Sequence, residues 1–206
     1  MEDVVIIDYG MGNLGSISNI LKKIGYSSTI TNDLQIINNA KKLILPGVGK
    51  FDKAISNLES LHLIDLIRSK SSRGTPILGI CLGMQLLAKS SEEGVLPGLG
   101  LIDGRVLKFS NDDDLKVPHM GWNLLKYNSN CPLYLNFDIL KEVKFYFVHS
   151  YYFEAENPMY IASESNYGIS FSSSVWKDNV YGVQFHPEKS HKFGMMLLKN
   201  FMNIPC

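Results

Sequence analysis

Arginine is scarce in this chain. Only Arg68, Arg73 and Arg105 stand among 20 basic residues, and 20 acidic residues cancel them to a formal net charge of zero. Reading phosphates takes a clustered basic surface, so nucleic acid is not expected as a partner. No apolar run approaches the roughly 18 residues that cross a bilayer, and Glu2 and Asp3 stand where a secretory leader would be basic. Neither a membrane nor export is expected, and the reading is cytoplasmic. Cysteine is scarce too: Cys81, Cys131 and Cys206 are odd in number and form no C-x-x-C pair. That argues against a disulfide framework and a structural metal site, and it leaves at least one free thiol. Repeats and low-complexity tracts are absent, and the densest polar stretch, Ser110 to Asp114, reads as a surface loop. With no linker to divide it, the chain of 206 residues is expected to form one domain that buries about 70% of its unfolded surface.

What is present in the first half is a regular alternation. Val4 to Asp8 is β-branched and too short for a helix, so it predicts a buried strand. Asn13 to Ile24 carries Leu14, Ile17, Ile20, Leu21 and Ile24 at helical spacing and ends at Gly25. Strands follow at Ser27 to Thr31, Leu43 to Leu45 and Pro76 to Ile80. Helices are expected from Asp33, along a long stretch marked by Phe51, Ile55, Leu58 and Leu61 with His62 inside it, and over Met84 to Lys89. Strand and helix in alternation imply parallel pairing with right-handed crossovers, hence an open doubly wound α/β sheet. After about residue 100 the rhythm turns β-rich: Leu101 to Phe109, Val143 to Tyr152, Tyr160 to Ser163, Ile169 to Trp176 and Val180 to Phe185. A last helix spans Lys192 to Phe201.

The sharpest local signal is Gly79-Ile80-Cys81-Leu82-Gly83, at the end of a buried strand. It has the form of a nucleophile elbow with cysteine at the tip. The turn is tight, so a side chain two residues before or after the cysteine would strike neighbouring backbone. The following helix N-terminus would favour a thiolate. A buried structural cysteine flanked by packing glycines is the competing explanation. A thiol needs a base, and His186 follows the strand Val180 to Phe185 with Pro187 and Glu188 behind it. In an extended segment residues i and i+2 project to one side, which would aim His186 and Glu188 together as base and orienting acid. His62, His149 and His191 offer no equal pair.

Gly10-x-Gly12-x-x-Gly15 follows a strand and opens a helix, with Asp33 18 positions on, which matches a dinucleotide fingerprint. Asp8 and Tyr9 place a charge and a ring where a pyrophosphate would approach, so a glycine turn facing a partner or a neighbouring loop competes with that reading. Pro46-Gly47-Val48-Gly49 ends the third strand, where free backbone N–H groups could meet an oxyanion. Pro118-His119-Met120-Gly121-Trp122-Asn123 is aromatic and methionine-rich without clear periodicity.

These stretches together resemble the class I, triad-type glutamine amidotransferases, and most closely their imidazole glycerol phosphate synthase branch. The likeness rests on DYGMGNLGS at 8 to 16, LPGVGKF at 45 to 51, GICLGMQLL at 79 to 87, KVPHMGWN at 116 to 123, YFVHSYYF at 146 to 153 and GVQFHPEKS at 182 to 190. The resemblance implies a flavodoxin-like fold, no cofactor, and hydrolysis of L-glutamine with delivery of ammonia to a (β/α)8-barrel cyclase subunit in a heterodimer of histidine biosynthesis. It implies Cys81 as nucleophile, His186 as base and Glu188 as its orienter. Val48, Gly49 and Leu82 would supply the oxyanion hole, and Gly49, Gln85 and Ser150 would hold the substrate. Asn13, Pro118, His119, Met120, Trp122, Asn123 and Lys189 would face the partner. Departures at Gly15, Lys50 and His191 leave open a paralogue that feeds another barrel synthase, for example in amidino-sugar formation. Outside this resemblance stand a dinucleotide-binding module and a free-standing cysteine peptidase or γ-glutamyl hydrolase.

Overall fold

The computed structural model describes residues 4–110 and 115–205. Glu2, Asp3, residues 111–114 of the expected polar loop and Cys206 lie outside the described residues. Strand β1 (Val4–Ile7) is buried along its whole length. Helix α1 (Leu14–Lys23) starts where the Asn13 carboxamide oxygen accepts the Ser16 N–H at 3.3 Å, and Lys22 and Lys23 complement its C-terminal dipole. Gly25 then takes φ +93° and ends it. After β2 (Ser28–Thr31), helix α2 (Leu34–Asn39) is capped by Asp33, whose carboxylate accepts the Gln35 and Ile36 N–H groups at 2.8 and 3.0 Å.

β3 (Leu43–Leu45) leads into two helices, α3 (Phe51–Ser60) and α4 (Leu63–Ser72), where one long helix was expected. His62 is not inside a helix; it sits between the two at φ +56°. At about 100° per residue, continuing the stripe of Phe51, Ile55 and Leu58 would bury His62 and Asp65. The reversal instead restarts the stripe on Leu63 and Ile67, both fully buried. β4 (Ile77–Ile80) is followed by α5 (Leu82–Gln85), a single turn that begins before and ends before the expected Met84 to Lys89. Beyond it the Leu86 and Leu87 carbonyls accept the Leu99 and Leu101 N–H groups instead of carrying the helix on, which takes the chain out to the two-residue β5 (Ser90–Ser91).

The β-rich half comprises β6 (Gly104–Lys108), β7 (His119–Leu124), β8 (Lys126–Tyr127), β9 (Lys144–His149), β10 (Tyr151–Ala155), β11 (Ile161–Tyr167), β12 (Ile169–Lys177) and β13 (Val180–Val183), and α6 (His191–Asn203) closes it. The expected single run from Val143 to Tyr152 breaks at Ser150 into two strands that serve different sheets. β9 pairs with β7 in a separate antiparallel ladder, while β10 pairs with β6 and β12 in the main sheet.

That main sheet runs β2-β1-β3-β4-β13-β12-β10-β6-β5, with β11 and β8 branching from β12. Its first five strands are parallel, which is the flavodoxin-like order. The fifth of them, β13, comes from the far end of the chain and also carries the antiparallel extension on β12. The α/β and β-rich halves are therefore woven into one mixed sheet. Both faces of β1, β3, β4 and β13 are covered, as inner parallel strands require, while β2 forms the half-exposed edge. Val4, Ile6, Leu78 and Ile80 pack beneath α1 and α6 with Phe145, Phe185 and Phe201, while Val5, Ile7 and Ile77 pack against Phe51, Ile55, Leu63 and Ile67 of α3 and α4.

This weave brings the carboxyl ends of β3, β4 and β13 side by side, so the turns Pro46–Gly49, Cys81–Leu82 and Gln184–His186 converge. Helix α6 is pressed onto the last of these: a Cβ at Gly194 would lie 1.8 Å from the Pro187 carbonyl oxygen. Alanine in a helix interior normally gains about 1 kcal/mol over glycine, but overpacking costs about 1–3 kcal/mol or more, and here the obstacle is backbone. Gly194→Ala is therefore expected to lower the unfolding free energy by about 2 kcal/mol, read from urea midpoints. Gly15→Ala, with no atom within 4 Å of the added Cβ, is the control expected to lose nothing.

Candidate active site

Cys81 occupies the sharp turn between β4 and α5 at φ +55°, ψ −110°, a conformation that costs a non-glycine residue about 1–3 kcal/mol. Its N–H donates to the Val183 carbonyl at 2.7 Å, tying the elbow to β13. The flanking glycines are sterically required. A Cβ on Gly79 would lie 2.5 Å from the Gly83 carbonyl oxygen, and one on Gly83 would lie 1.8 Å from that of Leu45. Because α5 is one turn long, its dipole offers the thiol less than the full helix expected there. The Gln184 carboxamide N–H2, fully buried, instead approaches Cys81 Sγ at 3.7 Å.

His186 and Glu188 meet at 2.7 Å, His186 Nδ1 to Glu188 Oε1, with both side chains all but completely buried. The route to that contact differs from the expected extended segment. Pro187–Lys189 form a tight 3-10 turn with Pro187 at its first position, and the turn folds Glu188 back onto His186. The His186 N–H donates to the Tyr146 carbonyl at 2.9 Å, and the Ser190 hydroxyl donates to the His186 carbonyl at 2.6 Å while accepting the Tyr146 N–H at 3.0 Å. β9 thus anchors the segment from both sides. Burial alone would push the His186 imidazole down; the nearby Cys81 thiol and the Glu188 carboxylate outweigh it and hold the value at about 10. An imidazolium beside a thiol favours the nucleophilic thiolate. Among the described residues His186 Nε2 and Glu188 Oε2 have no framework partner within hydrogen-bond distance, and Nε2 is the nitrogen on the thiol side.

A cavity of about 280 Å³ opens on Cys81, walled by Val48, Gly49, Leu82, Gln85, Glu93 and residues 148–151. Gly49, Gln85 and Ser150, expected around a substrate, all line it. Gly49 takes φ +121°. Gln85 donates to the Tyr151 carbonyl and to the Gln184 side-chain oxygen, each at 3.1 Å. Of the three expected oxyanion residues, Val48 and Gly49 lie on the cavity wall, while the Leu82 N–H is directed at the Gly47 carbonyl through a long 3.3 Å bond.

Gln184, whose amide reaches Cys81 Sγ, and Glu93, on the cavity wall, escaped the sequence reading. Gln184 reads as an ordinary strand-end residue, and Glu93 lies in a loop that no motif marks. Its carboxyl is raised by partial burial, against the Phe51 N–H that it accepts at 3.0 Å. The loop is clasped in return: Asp52 accepts the Val95 N–H at 3.1 and 3.0 Å and the Leu96 N–H at 3.1 Å.

The glycine fingerprint has a packing explanation. Tyr9 is buried and donates to the Pro46 carbonyl, and a Cβ on Gly12 would crowd Pro46 and Gly47 at 3.2–3.4 Å. The turn is shaped to lie on the Pro46–Gly49 segment.

Residues 5–204 match the family model described as glutamine amidotransferase class-I. The chain belongs to the class I glutamine amidotransferase family. Among curated proteins it is 53% identical to the imidazole glycerol phosphate synthase subunit HisH 2 of Methanococcus maripaludis, covering 97% of this chain and 98% of that one. It is 46% identical to the subunit HisH 2 of Pseudomonas aeruginosa, covering 98% and 99%, and 46% identical to the subunit HisH of Haemophilus influenzae, covering 98% of each. Among solved structures, PurLQS from Thermotoga maritima superposes with a TM-score of 0.76 at 18% identity, covering 98% of this chain and 99% of that one. A glutamine amidotransferase from Thermotoga maritima superposes at 0.64 and 17%, covering 97% and 80%. At such identities the structures speak for the amidotransferase fold alone.

The residues expected to face a partner of this amidotransferase divide. Met120 and Trp122 are exposed on one face of β7, and Pro118, Asn13 and Lys189 are exposed as well. Trp122 stacks on His191 with rings 4° from parallel, and Lys189 lies over the Tyr146 ring, so these side chains share one surface. His119 does not belong to it. It is buried, and Asn123 is half-buried and turned inward beside it, because alternate residues of a strand point to opposite faces. No helix among the described residues is long and apolar enough to cross a membrane.

Two outcomes follow from this geometry. Replacing Glu188 by glutamine removes one support of the imidazolium, so the His186 titration seen by NMR should fall from about 10 toward its ordinary range. Because the folded value lies above the unfolded one, the pairing stabilises the fold fully below about pH 6.5 and ceases to do so as pH rises through about 10. An unchanged titration in Glu188→Gln would show that the carboxylate does not govern it. Asp52→Ala frees the loop that carries Glu93, and glutamine KM should rise about tenfold with kcat little changed, the loss of about 1.4 kcal/mol of pre-set binding.

Proposed function

We propose that this chain is the glutaminase subunit of an imidazole glycerol phosphate synthase, hydrolysing L-glutamine and passing the ammonia to a (β/α)8-barrel cyclase. The observation that carries the reading is Cys81 raised on its elbow into a cavity beside the buried His186–Glu188 pair. The Cys81 thiolate attacks the side-chain amide carbon, and the carbonyl electrons move onto oxygen, where N–H groups of the Val48–Gly49 turn and Leu82 receive them. Collapse of this intermediate breaks the C–N bond as His186 gives its proton to the departing ammonia, leaving a glutamyl thioester. His186 then takes a proton from water, the hydroxide attacks the thioester, and glutamate leaves as Cys81 recovers its electron pair. Glu188 holds the imidazole by Nδ1 throughout, so Nε2 does the proton transfers.

Glu93 is the acidic side chain on the cavity wall and, with the Gln85 side-chain oxygen, suits the α-ammonium of glutamine, while the Ser150 hydroxyl suits its carboxylate. The exposed surface of Met120, Trp122, Asn13 and Lys189 is the docking face for the barrel, apolar at its centre and cationic at its edge. The Leu82 N–H is engaged by the Gly47 carbonyl, so oxyanion support is incomplete without a shift of the Pro46–Gly49 turn. Turnover by the isolated chain should accordingly be weak and rise on binding the barrel.

The ammonia acceptor depends on the barrel. Two of the relatives carry the number 2 in their names, and a paralogous barrel synthase would use the same chemistry. A diazo-ketone analogue of glutamine, which alkylates an attacking thiol, tests both points by intact mass and peptide mapping. One adduct on Cys81, formed faster with the histidine-pathway cyclase and absent from Cys81→Ala, is the expected result. No adduct in either condition would overturn the glutaminase reading, and an adduct that the cyclase does not accelerate would move the assignment to another barrel.

A further inference from the structure

β7 turns Met120 and Trp122 outward and His119 inward, and behind His119 lies a directed chain of hydrogen bonds that ends on the wall of the Cys81 cavity. His149 Nδ1 lies 2.8 Å from the Tyr151 carbonyl, which can only accept, so the proton of His149 is on Nδ1 and its Nε2 is an acceptor. His119 Nδ1 lies 2.9 Å from that Nε2 and is therefore the donor, which leaves His119 Nε2 to accept from the Asn123 carboxamide at 3.2 Å. The Asn123 amide is fixed in turn, since its nitrogen also donates to the Asn166 carbonyl at 2.8 Å and its oxygen accepts the Leu124 N–H at 2.8 Å. Every bond in the chain thus agrees on one tautomer for each imidazole.

The rings have no freedom to choose another. His119 is stacked between Tyr167, at 4.1 Å between centroids, and Phe147, at 4.9 Å, and Phe109 and Phe171 close around His149. Burial drives the two imidazoles down, to about 4 for His119 and about 3 for His149, so both are neutral at pH 7 and each has a single N–H to give. The Tyr151 carbonyl at the end of the chain also receives Gln85, which donates onward to Gln184, the residue whose amide reaches Cys81 Sγ.

We propose that His119 is a positioning residue for the glutamine pocket: its Nδ1–H fixes the ring and tautomer of His149, and through His149 the Tyr151 carbonyl on which Gln85 is set. The assignment rests on the cavity being the glutamine site. It places a residue of the docking strand directly behind the wall of the substrate pocket, with no contact to the substrate and no part in the proton transfers. The family's partner surface, to which resemblance assigned His119, is carried by its neighbours on either side.

The test uses the full chain with a saturating amount of its barrel partner and three proteins: wild type, His119→Phe and His119→Asn. Phenylalanine keeps the stack between Tyr167 and Phe147 and removes the donor; asparagine presents a donor near the place of Nδ1. Long-range nitrogen–proton NMR of wild type at pH 7 should show His149 protonated on Nδ1 and bare on Nε2. His119→Phe should raise glutamine KM about tenfold while kcat stays within about twofold, and His119→Asn should recover most of the loss. A His149 protonated on Nε2 in wild type, or a folded His119→Phe with unaltered KM, would overturn the proposal. So would an equal loss in both variants, which is what a merely structural role predicts. A wild-type protein that turns over no glutamine with any barrel would remove the glutaminase reading beneath it, whereas the nitrogen spectrum fails or succeeds on the His119–His149 bond alone.

Discussion

The approach of Gly83 to Leu45, so close that a Cβ would stand 1.8 Å from the carbonyl oxygen, fixes where everything else in the site can be. The elbow lies flat against the end of β3 only because that atom is missing. Cys81 is thereby held at a positive φ that its own residue type disfavours by about 1–3 kcal/mol. The surroundings hold it there: β4 is paired on both sides, with β3 and β13, and the Cys81 N–H is bonded to Val183. Since β13 is also the strand that delivers His186, one sheet neighbour braces the nucleophile and presents its base. A shift of the elbow would have to move a strand buried on both faces, which close packing resists.

The same dependence explains which features were legible in the sequence. Signals contained within a few residues read correctly: Asn13 and Asp33 as helix starts, Gly25 as a stop, the β-branched run of β1, and the paired glycines around Cys81. Features decided by distant chain did not. The stripe from Phe51 onward is helical on both sides of His62, and only the core's need for Leu63 and Ile67 in place of His62 and Asp65 shows that the helix must reverse there. The Pro118–Asn123 strip has the alternation of a strand, but its inward residues are histidine, glycine and asparagine, so the pattern is hidden from a count of apolar side chains. Its inward face is recognisable only with β9, Tyr167 and Phe171 in place. Glu93 is invisible for a similar reason, because its position depends on a reciprocal clasp with the first turn of α3. The His186–Glu188 pair was expected for a reason that the chain does not use: Pro187 initiates a tight turn rather than prolonging an extended segment, and either geometry brings i and i+2 together.

The glycine-rich turn after β1 shows how a motif can be satisfied by packing. Its spacing is that of a dinucleotide loop, yet Tyr9 is anchored on Pro46 and Gly12 lies against Gly47, so the conformational freedom of the glycines is spent on covering the Pro46–Gly49 turn. That turn is itself part of the cavity wall. The loop therefore touches the site at one remove, and motion in it would be passed to Val48 and Gly49.

The distribution of satisfied and unsatisfied polar groups is informative about function. Among the described residues, two buried side-chain polar atoms lack a partner, His186 Nε2 and Glu188 Oε2, and they belong to the same pair. An unpaired buried polar atom costs about 1–3 kcal/mol, and elsewhere the fold avoids that cost thoroughly, down to a buried cluster in which Tyr134, Ser163, Ser173 and Ser174 satisfy one another. Nε2 is the atom that must exchange protons with a thiol, an amine and a water, so it is not committed to the surrounding framework. The His119–His149 chain is its opposite, complete at every atom and neutral throughout. The site is thus divided between one imidazole whose outer nitrogen is turned to the Cys81 thiol for chemistry and two whose nitrogens are all engaged in holding the wall.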